Sequence, residues 1–257
     1  MSLQQVKLFI LMLFLVPGLA SGQPASADDN ETLGQGSIML ILDASGSMWG
    51  QVEGTTKIEI AKEALVQLID NLPDTARVGL VAYGHRVKGD CNDVEELIPL
   101  GPMDRERLKE HVLGLNPKGK TPITWSLQLT AETLKSMEEE VTILLVSDGK
   151  ETCEGDPCAL VRELRESGVR VVVNVIGFDV TAEESEQLKC IAEEGGGEYY
   201  SADSVSEFQE AAMSTLEDPR FQTGKLEVRA VRNGEPIEAF VRLLNASGEE
   251  VRTDYTY

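Results

Sequence analysis

Residues 38–48 read Ile38-Met39-Leu40-Ile41-Leu42-Asp43-Ala44-Ser45-Gly46-Ser47-Met48. Five apolar residues without a polar break suit a strand covered on both faces, the pattern of a parallel sheet sandwiched between helices. The run stops at a carboxylate, and hydroxyls follow at positions 45 and 47. In a doubly wound sheet the functional crevice lies at the carboxyl ends of the strands, so these three side chains stand where such folds bind their ligands. Taken alone, the pentapeptide is also a helix-capping pattern, because Asp and Ser accept hydrogen bonds from the first amides of a helix. Other loops must decide between the two.

Outward from this strand, Ala61, Ala64, Leu65, Leu68, Ile69 and Leu72 recur at helical spacing after Ile58 and stop at Pro73. Val78 to Tyr83 reads as a second strand. Val94 to Leu100, containing Pro99, reads as its edge partner. Residues 104–115 are expected to be helical, and a further helix starts at Thr121-Pro122, with Thr as the cap and Pro at the first helical position. Residues 141–146 form another buried strand, 156–167 a helix, 169–178 a strand rich in branched residues, and 181–194 a helix ending before Gly195. A short strand follows at 198–201, and Ser204 with Glu207 forms a capping box opening a last helix to about Leu216. Strands alternating with helices in this rhythm give an α/β fold: a doubly wound, mainly parallel sheet flanked by helices, Rossmann-like in architecture.

Composition narrows the functional classes. The chain has 257 residues, 42% of them hydrophobic, with 23 basic against 44 acidic side chains and a formal charge of −21. The apolar fraction is that of a globular protein, and the length allows one large α/β domain or two smaller ones. Nucleic acid is excluded as a partner, since neutralising phosphates needs clustered Lys and Arg. An acidic field favours cations and basic partners instead.

Residues 1–22 have the form of a signal peptide: Lys7, an apolar run from Leu8 to Val16, then small residues around Ala20-Ser21-Gly22. The run is too short for a retained membrane anchor, so an exported protein, periplasmic or extracellular and without a transmembrane helix after cleavage, is expected. Residues 23–36 form a polar, flexible leader. In an oxidising compartment the four cysteines, Cys91, Cys153, Cys158 and Cys190, read as disulfides, with three pairings open. Zinc is disfavoured, because the chain has no C-x-x-C pair and only His85 and His111. Beyond residue 221, alternating residues flank Asn233-Gly234, a hairpin signal. This segment, 222–257, is expected to be a short C-terminal β unit, too small to fold alone, whose strands either dock on the main domain or belong to a truncated β-sandwich.

Two further loops join the first. Lys118-Gly119-Lys120-Thr121-Pro122 offers a hydroxyl at a helix start, and Leu145-Val146-Ser147-Asp148-Gly149 puts a second carboxylate at a strand end, both expected on the same carboxyl edge as Asp43. The set resembles the metal-ion-dependent adhesion site of von Willebrand factor A domains, over residues 37–219. The resemblance implies Asp43, Ser45, Ser47, Thr121 and Asp148 as cation ligands. It implies Mg²⁺, with Mn²⁺ or Ca²⁺ also compatible, because a hard cation takes oxygen ligands and neutral hydroxyls leave it positive with an open position. An Asp or Glu carboxylate of a protein partner would fill that position. The segments 83–86, 89–91 and 151–158 resemble an exported bacterial branch, which implies that Cys91, Cys153 and Cys158 flank the metal loops and that His85 sits on the ligand rim.

The expectation is therefore a non-enzymatic, metal-dependent binding module of adhesion type. The alternative of a different class is a structural or assembly domain of an envelope complex that needs no metal. Two enzyme readings compete weakly. Gly114 to Thr121 matches the phosphate-loop expression G-x-x-x-x-G-K-[ST], but it follows a helical stretch where a phosphate loop needs a buried strand. A serine hydrolase would lack the G-x-S-x-G elbow and would have only His85 as base.

Overall fold

The computed structural model describes residues 36–135, 137–217 and 221, together with the backbone of short strands between 231 and 256. The export segment and all of the leader except Gly36 lie outside the described residues. Strand β1 (Ser37–Asp43) is buried at every position, as its unbroken apolar run requires. It pairs in parallel with β4 (Arg77–Tyr83) on one side and β6 (Val141–Ser147) on the other, Leu40 standing opposite both Leu80 and Leu144. With β5 (Val94–Pro102), β7 (Val171–Phe178) and β8 (Gly196–Ala202) the sheet runs β5-β4-β1-β6-β7-β8, and only the edge strand β5 is antiparallel. The chain leaves β1 in one direction and returns on its other side. The crevice of such a sheet therefore opens between β1 and β6.

Alternation along β1 assigns the two helix layers. Ile38, Leu40 and Leu42 face a core completed by α1 (Lys57–Asn71), α2 (Arg105–Gly114) and α6 (Val205–Ser214). Met39 and Ile41 face the opposite core, completed by α3 (Ile123–Leu134), α4 (Pro157–Glu166) and α5 (Ala182–Glu194). Between β1 and α1 lie a single 3₁₀ turn, Gly46–Trp49, and a two-residue hairpin of β2 (Gln51–Val52) with β3 (Thr55–Thr56), which residue patterning does not announce. Among the described residues no helix is long and apolar enough to cross a membrane.

Two local expectations are corrected. Thr121 does not cap α3. Pro122 occupies that position, while Thr121 is held outside the helix by backbone bonds to Thr152 in both directions, its amide donating to Oγ1 at 2.8 Å and its carbonyl accepting from Thr152 N at 3.1 Å. A residue before proline resists the helical region, so the loop claims Thr121. At α6, Ser204 Oγ accepts from Glu207 N, but Glu207 returns its carboxylate to Asp203 N rather than to Ser204 N. The reciprocal boxes occur elsewhere, and Thr181 with Glu184 at α5 is one of them.

In the C-terminal segment, β9 (Val231–Arg232) pairs with β10 (Glu235–Pro236), and β11 (Ala239–Leu244) pairs with β12 (Glu250–Thr256), both antiparallel; the expected turn at Asn233-Gly234 lies outside the described residues.

All four cysteines are paired, Cys91 with Cys153 and Cys158 with Cys190. The second bridge joins α4 to α5, so Cys158 fastens the helix layer and does not act on the loop platform as the resemblance implied. Closing a 32-residue separation restricts the unfolded chain. The double variant Cys158→Ser/Cys190→Ser is expected to lose about 3 kcal/mol of unfolding free energy, measured by urea denaturation, with the fold retained by circular dichroism.

Candidate functional site

Asp43 is the last residue of β1 and fully buried. Its Oδ1 accepts the Ser45 amide at 2.7 Å, which bends the chain out of the strand and into the 3₁₀ turn. Buried Met48 anchors that turn in the core. Ser45 Oγ then stands 3.0 Å from Ser47 Oγ, and Ser47 Oγ donates to Asp148 Oδ1 at 2.6 Å. The loop after β1 and the loop after β6 are thus joined through hydroxyls. The loop before α3 is locked to the first by backbone: Gly46 N donates to Gly119 O at 3.0 Å and Lys118 N to Ala44 O at 3.1 Å. Thr121, buried, follows two residues later. The structure therefore gathers the loops carrying all five residues at one edge, with Asp43, Ser45, Ser47 and Asp148 in a continuous chain of hydrogen bonds and Thr121 tied to the same platform through Thr152.

Gly84 makes this crossing fit. Its φ is +70°, and a Cβ there would stand 2.6 Å from Lys120 O and 2.9 Å from Ser45 Cα. Its carbonyl accepts both Lys118 N and Gly119 N. These amides are committed to holding loops together, and the segment from Gly114 leaves a helix, so no strand precedes a phosphate cradle here. Cys91–Cys153 ties the loop after β4 to the loop after β6.

Three residues beneath the site escape sequence reasoning. Tyr83 Oη and Ser147 Oγ donate to Asp43 Oδ2 at 2.9 and 2.7 Å, both wholly buried. Lys57, the buried first residue of α1, reaches Asp148 Oδ2 at 3.3 Å and Asp179 Oδ2 at 2.9 Å. The contact with Asp148 is an ion pair without hydrogen-bond geometry, and Asp148 Oδ2 accepts no hydrogen bond. The available signals are positional: Tyr83 stands opposite Asp43 in the register, Ser147 ends β6, and Lys57 interrupts an apolar helix face.

The electrostatics follow. Burial, and then the charge of Asp148, push the Asp43 carboxyl up to about 6 despite the bonds from Ser45 and Ser147. Burial likewise raises Asp148, with Ser47 and Lys57 opposing. Burial works against the Lys57 ammonium, but Asp179 and Asp148 outweigh it and raise its pKa. His85 lies near this edge but pairs with Glu95 Oε2 at 3.0 Å, and its Nδ1 is buried without a partner. No base is thereby offered to Ser45 or Ser47.

Among the described residues no three His, Cys, Asp or Glu side chains converge. A cation here would need Ser and Thr hydroxyls beside the two carboxylates, a hard-oxygen set. A concavity of about 650 Å³ lies elsewhere, along Asn174, Gly196 and Glu198, and shares no residue with this edge.

A doubly wound α/β domain that gathers hydroxyls and two desolvated carboxylates at the carboxyl edge of its central strands defines a recognisable class. The chain belongs to the von Willebrand factor type A domain family, whose profile matches residues 37–214. It is 34% identical over 183 residues to the uncharacterized protein YwmD of Bacillus subtilis, covering 68% of this chain and 82% of that protein. Its fold is that of BatB from Bacteroides thetaiotaomicron, with a TM-score of 0.58 at 21% identity over 72% of this chain and 98% of the other. It is also that of a mussel byssus protein, proximal thread matrix protein 1, solved with zinc in its MIDAS motif. There the TM-score is 0.56 at 18% identity, over 72% of this chain and 46% of the other.

A carboxyl whose pKa is raised on folding stabilises the folded state below its unfolded pKa of 3.8 and loses that contribution as pH rises through about 6. In chelator, Asp43→Asn should therefore match the wild type near pH 4 and exceed it at pH 7.5, by on the order of 2 kcal/mol. Urea midpoints across this range measure it.

Proposed function

We propose that the chain is an exported, non-enzymatic protein-binding module that holds a divalent cation, Mg²⁺ by preference, and through it engages an acidic group of a partner. Asp43, Ser45, Ser47, Thr121 and Asp148 would hold the ion. The observation that carries this reading is the pair of buried carboxylates linked through Ser45 and Ser47, with Asp148 Oδ2 left without a hydrogen bond. Buried charge is costly unless paired or coordinated, and Asp43 has no cationic partner of its own. The bound ion would supply positive charge and an open coordination position for a carboxylate. The protein's part is to hold the oxygens: Tyr83 and Ser147 fix Asp43, and Lys57 fixes Asp148. The likeness to the mussel protein with zinc in its MIDAS supports a cation, and a similar fold in the pilus adhesin SpaC of Lactobacillus rhamnosus GG supports a protein ligand. The two disulfides and the N-terminal pattern support export.

Lys57 favours a second reading. An internal ammonium beside Asp148 lets part of the site persist without metal, as an assembly domain of an envelope complex would require. Titration calorimetry with Mg²⁺ separates the two. The wild type should bind one ion and Asp43→Ala none; absence of wild-type binding would favour the metal-independent domain. Lys57→Met removes the competing charge. It should bind Mg²⁺ about tenfold more tightly, on the order of 1.4 kcal/mol, while its metal-free form melts at lower temperature than the wild type.

A further inference from the structure

Four large apolar side chains are exposed among the described residues: Trp49 at 53%, Val87 at 51%, Leu113 at 55% and Trp125 at 38%. Trp49 ends the 3₁₀ turn after β1, Val87 lies in the loop after β4, Leu113 is in the last turn of α2, and Trp125 is in the first turn of α3. Trp49 and Val87 thus lie on loops leaving the carboxyl ends of the strands, the edge that carries Asp43.

Two of them meet on one loop. The Trp49 indole donates from Nε1 to Pro117 O at 2.9 Å, which fixes an exposed ring beside Lys118. Val87 approaches the same loop, since a Cβ on Gly119 would stand 2.9 Å from Val87 O. Charge singles out this side as well. Lys88, Lys118 and Lys120 are exposed, and the lysine ion pairs of the described residues involve only Lys57, Lys109 and Lys150. The nearby acids are occupied: Asp93 is buried under Arg86 and the amides of Arg86 and Val87, and Asp90 accepts from Asn92. Across the site, on the β6 and β7 side, Lys150 is paired with Glu183, and the half-exposed Asp179 is paired with Lys57. In a chain of net charge −21, three exposed lysines without an ion pair, Lys88, Lys118 and Lys120, fall on the same rim as the fixed aromatic ring.

We propose that Trp49, Val87, Lys88, Lys118 and Lys120 form a docking surface for an acidic peptide segment in which an aromatic or aliphatic side chain lies next to the carboxylate that enters the site. This rests on the cation-dependent reading above and specifies its partner. The central carboxylate would take the open position of the ion. The neighbouring apolar side chain would cover Trp49 and Val87, a desolvated contact of the kind that dominates interface energies. Further acidic groups would meet the lysines, which adds selectivity and association rate more than affinity.

The test uses the purified full chain and a library of capped nonapeptides with a fixed central Asp and randomised flanks. Bound peptides are sequenced by mass spectrometry in Mg²⁺ and in chelator, beside Mg²⁺ calorimetry on every variant. Flanks enriched at least about fivefold in aromatic or aliphatic residues together with Asp or Glu are expected. That enrichment should be lost in Trp49→Ala, in Val87→Ser and in Lys118→Glu/Lys120→Glu, with Mg²⁺ still bound by each variant. Val87→Ser removes no hydrogen bond, so it guards against a loop disturbed by loss of the indole. Unenriched or basic flanks, or enrichment that survives Val87→Ser and the lysine reversals, would overturn the docking surface while leaving Mg²⁺ binding intact. Enrichment that persists in chelator and is lost in the same variants would uphold the surface and remove the cation from the reading beneath it.

Discussion

Asp43 is the last residue of β1 and Asp148 the first after β6, neighbouring strands in the middle of the sheet, and Ser45 and Ser47 link the two carboxylates. Like charges this close and this far from water repel each other, and each is desolvated besides. Much of the local structure answers that constraint. Asp43 receives three donors, Ser45 N, Tyr83 Oη and Ser147 Oγ, while Asp148 receives Ser47 Oγ and the ammonium of Lys57. The two acids are handled differently, one by neutral donors and one by a cation. Burial, and then the charge of Asp148, still push the Asp43 carboxyl up to about 6, and burial raises Asp148 as well.

The constraint also explains the loop architecture around it. Donors aimed at a buried carboxylate work only if they cannot drift, and loops drift unless fastened. Here the loop before α3 is pinned through Gly119 to Gly46 and Gly84, and Cys91–Cys153 clips the loop after β4 to the one after β6. Gly84 has no side chain because two backbones cross at its Cα, and it adopts φ +70° where few other residues would. Rigidity thus comes from backbone hydrogen bonds and one cystine, and the functional side chains are left free to point into the edge. Cys158–Cys190 serves the scaffold alone, by holding two helices against the sheet.

Much of this was legible in the sequence wherever the signal was local. The apolar run of β1, the amphipathic spacing of α1 and the carboxylates at strand ends, Asp43 and Asp148, are properties of short segments, and a doubly wound, mainly parallel sheet follows from the alternation of strands and helices, though not its strand order. What was not legible depends on register. Tyr83 reads as one more apolar residue at the end of a strand until β4 is set beside β1 with Tyr83 opposite Asp43. Lys57 reads as a solvated helix start until its ammonium meets Asp148 and Asp179, residues 91 and 122 positions away. The cystine pairing belongs to the same kind. Four cysteines carry no local mark of their partners, and only the packing of α4 on α5 brings Cys158 to Cys190.

The charge of the chain takes on a specific meaning against this geometry. A net −21 would repel an acidic ligand at long range, yet screening at physiological salt confines such repulsion to about 8 Å. Inside that distance local groups decide. The loops after β1, β4 and α2 place Lys88, Lys118 and Lys120 beside an exposed Trp49, whereas the acidic residues of the helices lie on faces turned to solvent. The same distribution leaves one short arc of the sheet edge where exposed lysines and an exposed indole lie together. For the acidic segment proposed as partner, the acids of the helix faces would then serve selectivity, because a segment displaced from that arc would meet repulsion on the rest of the domain.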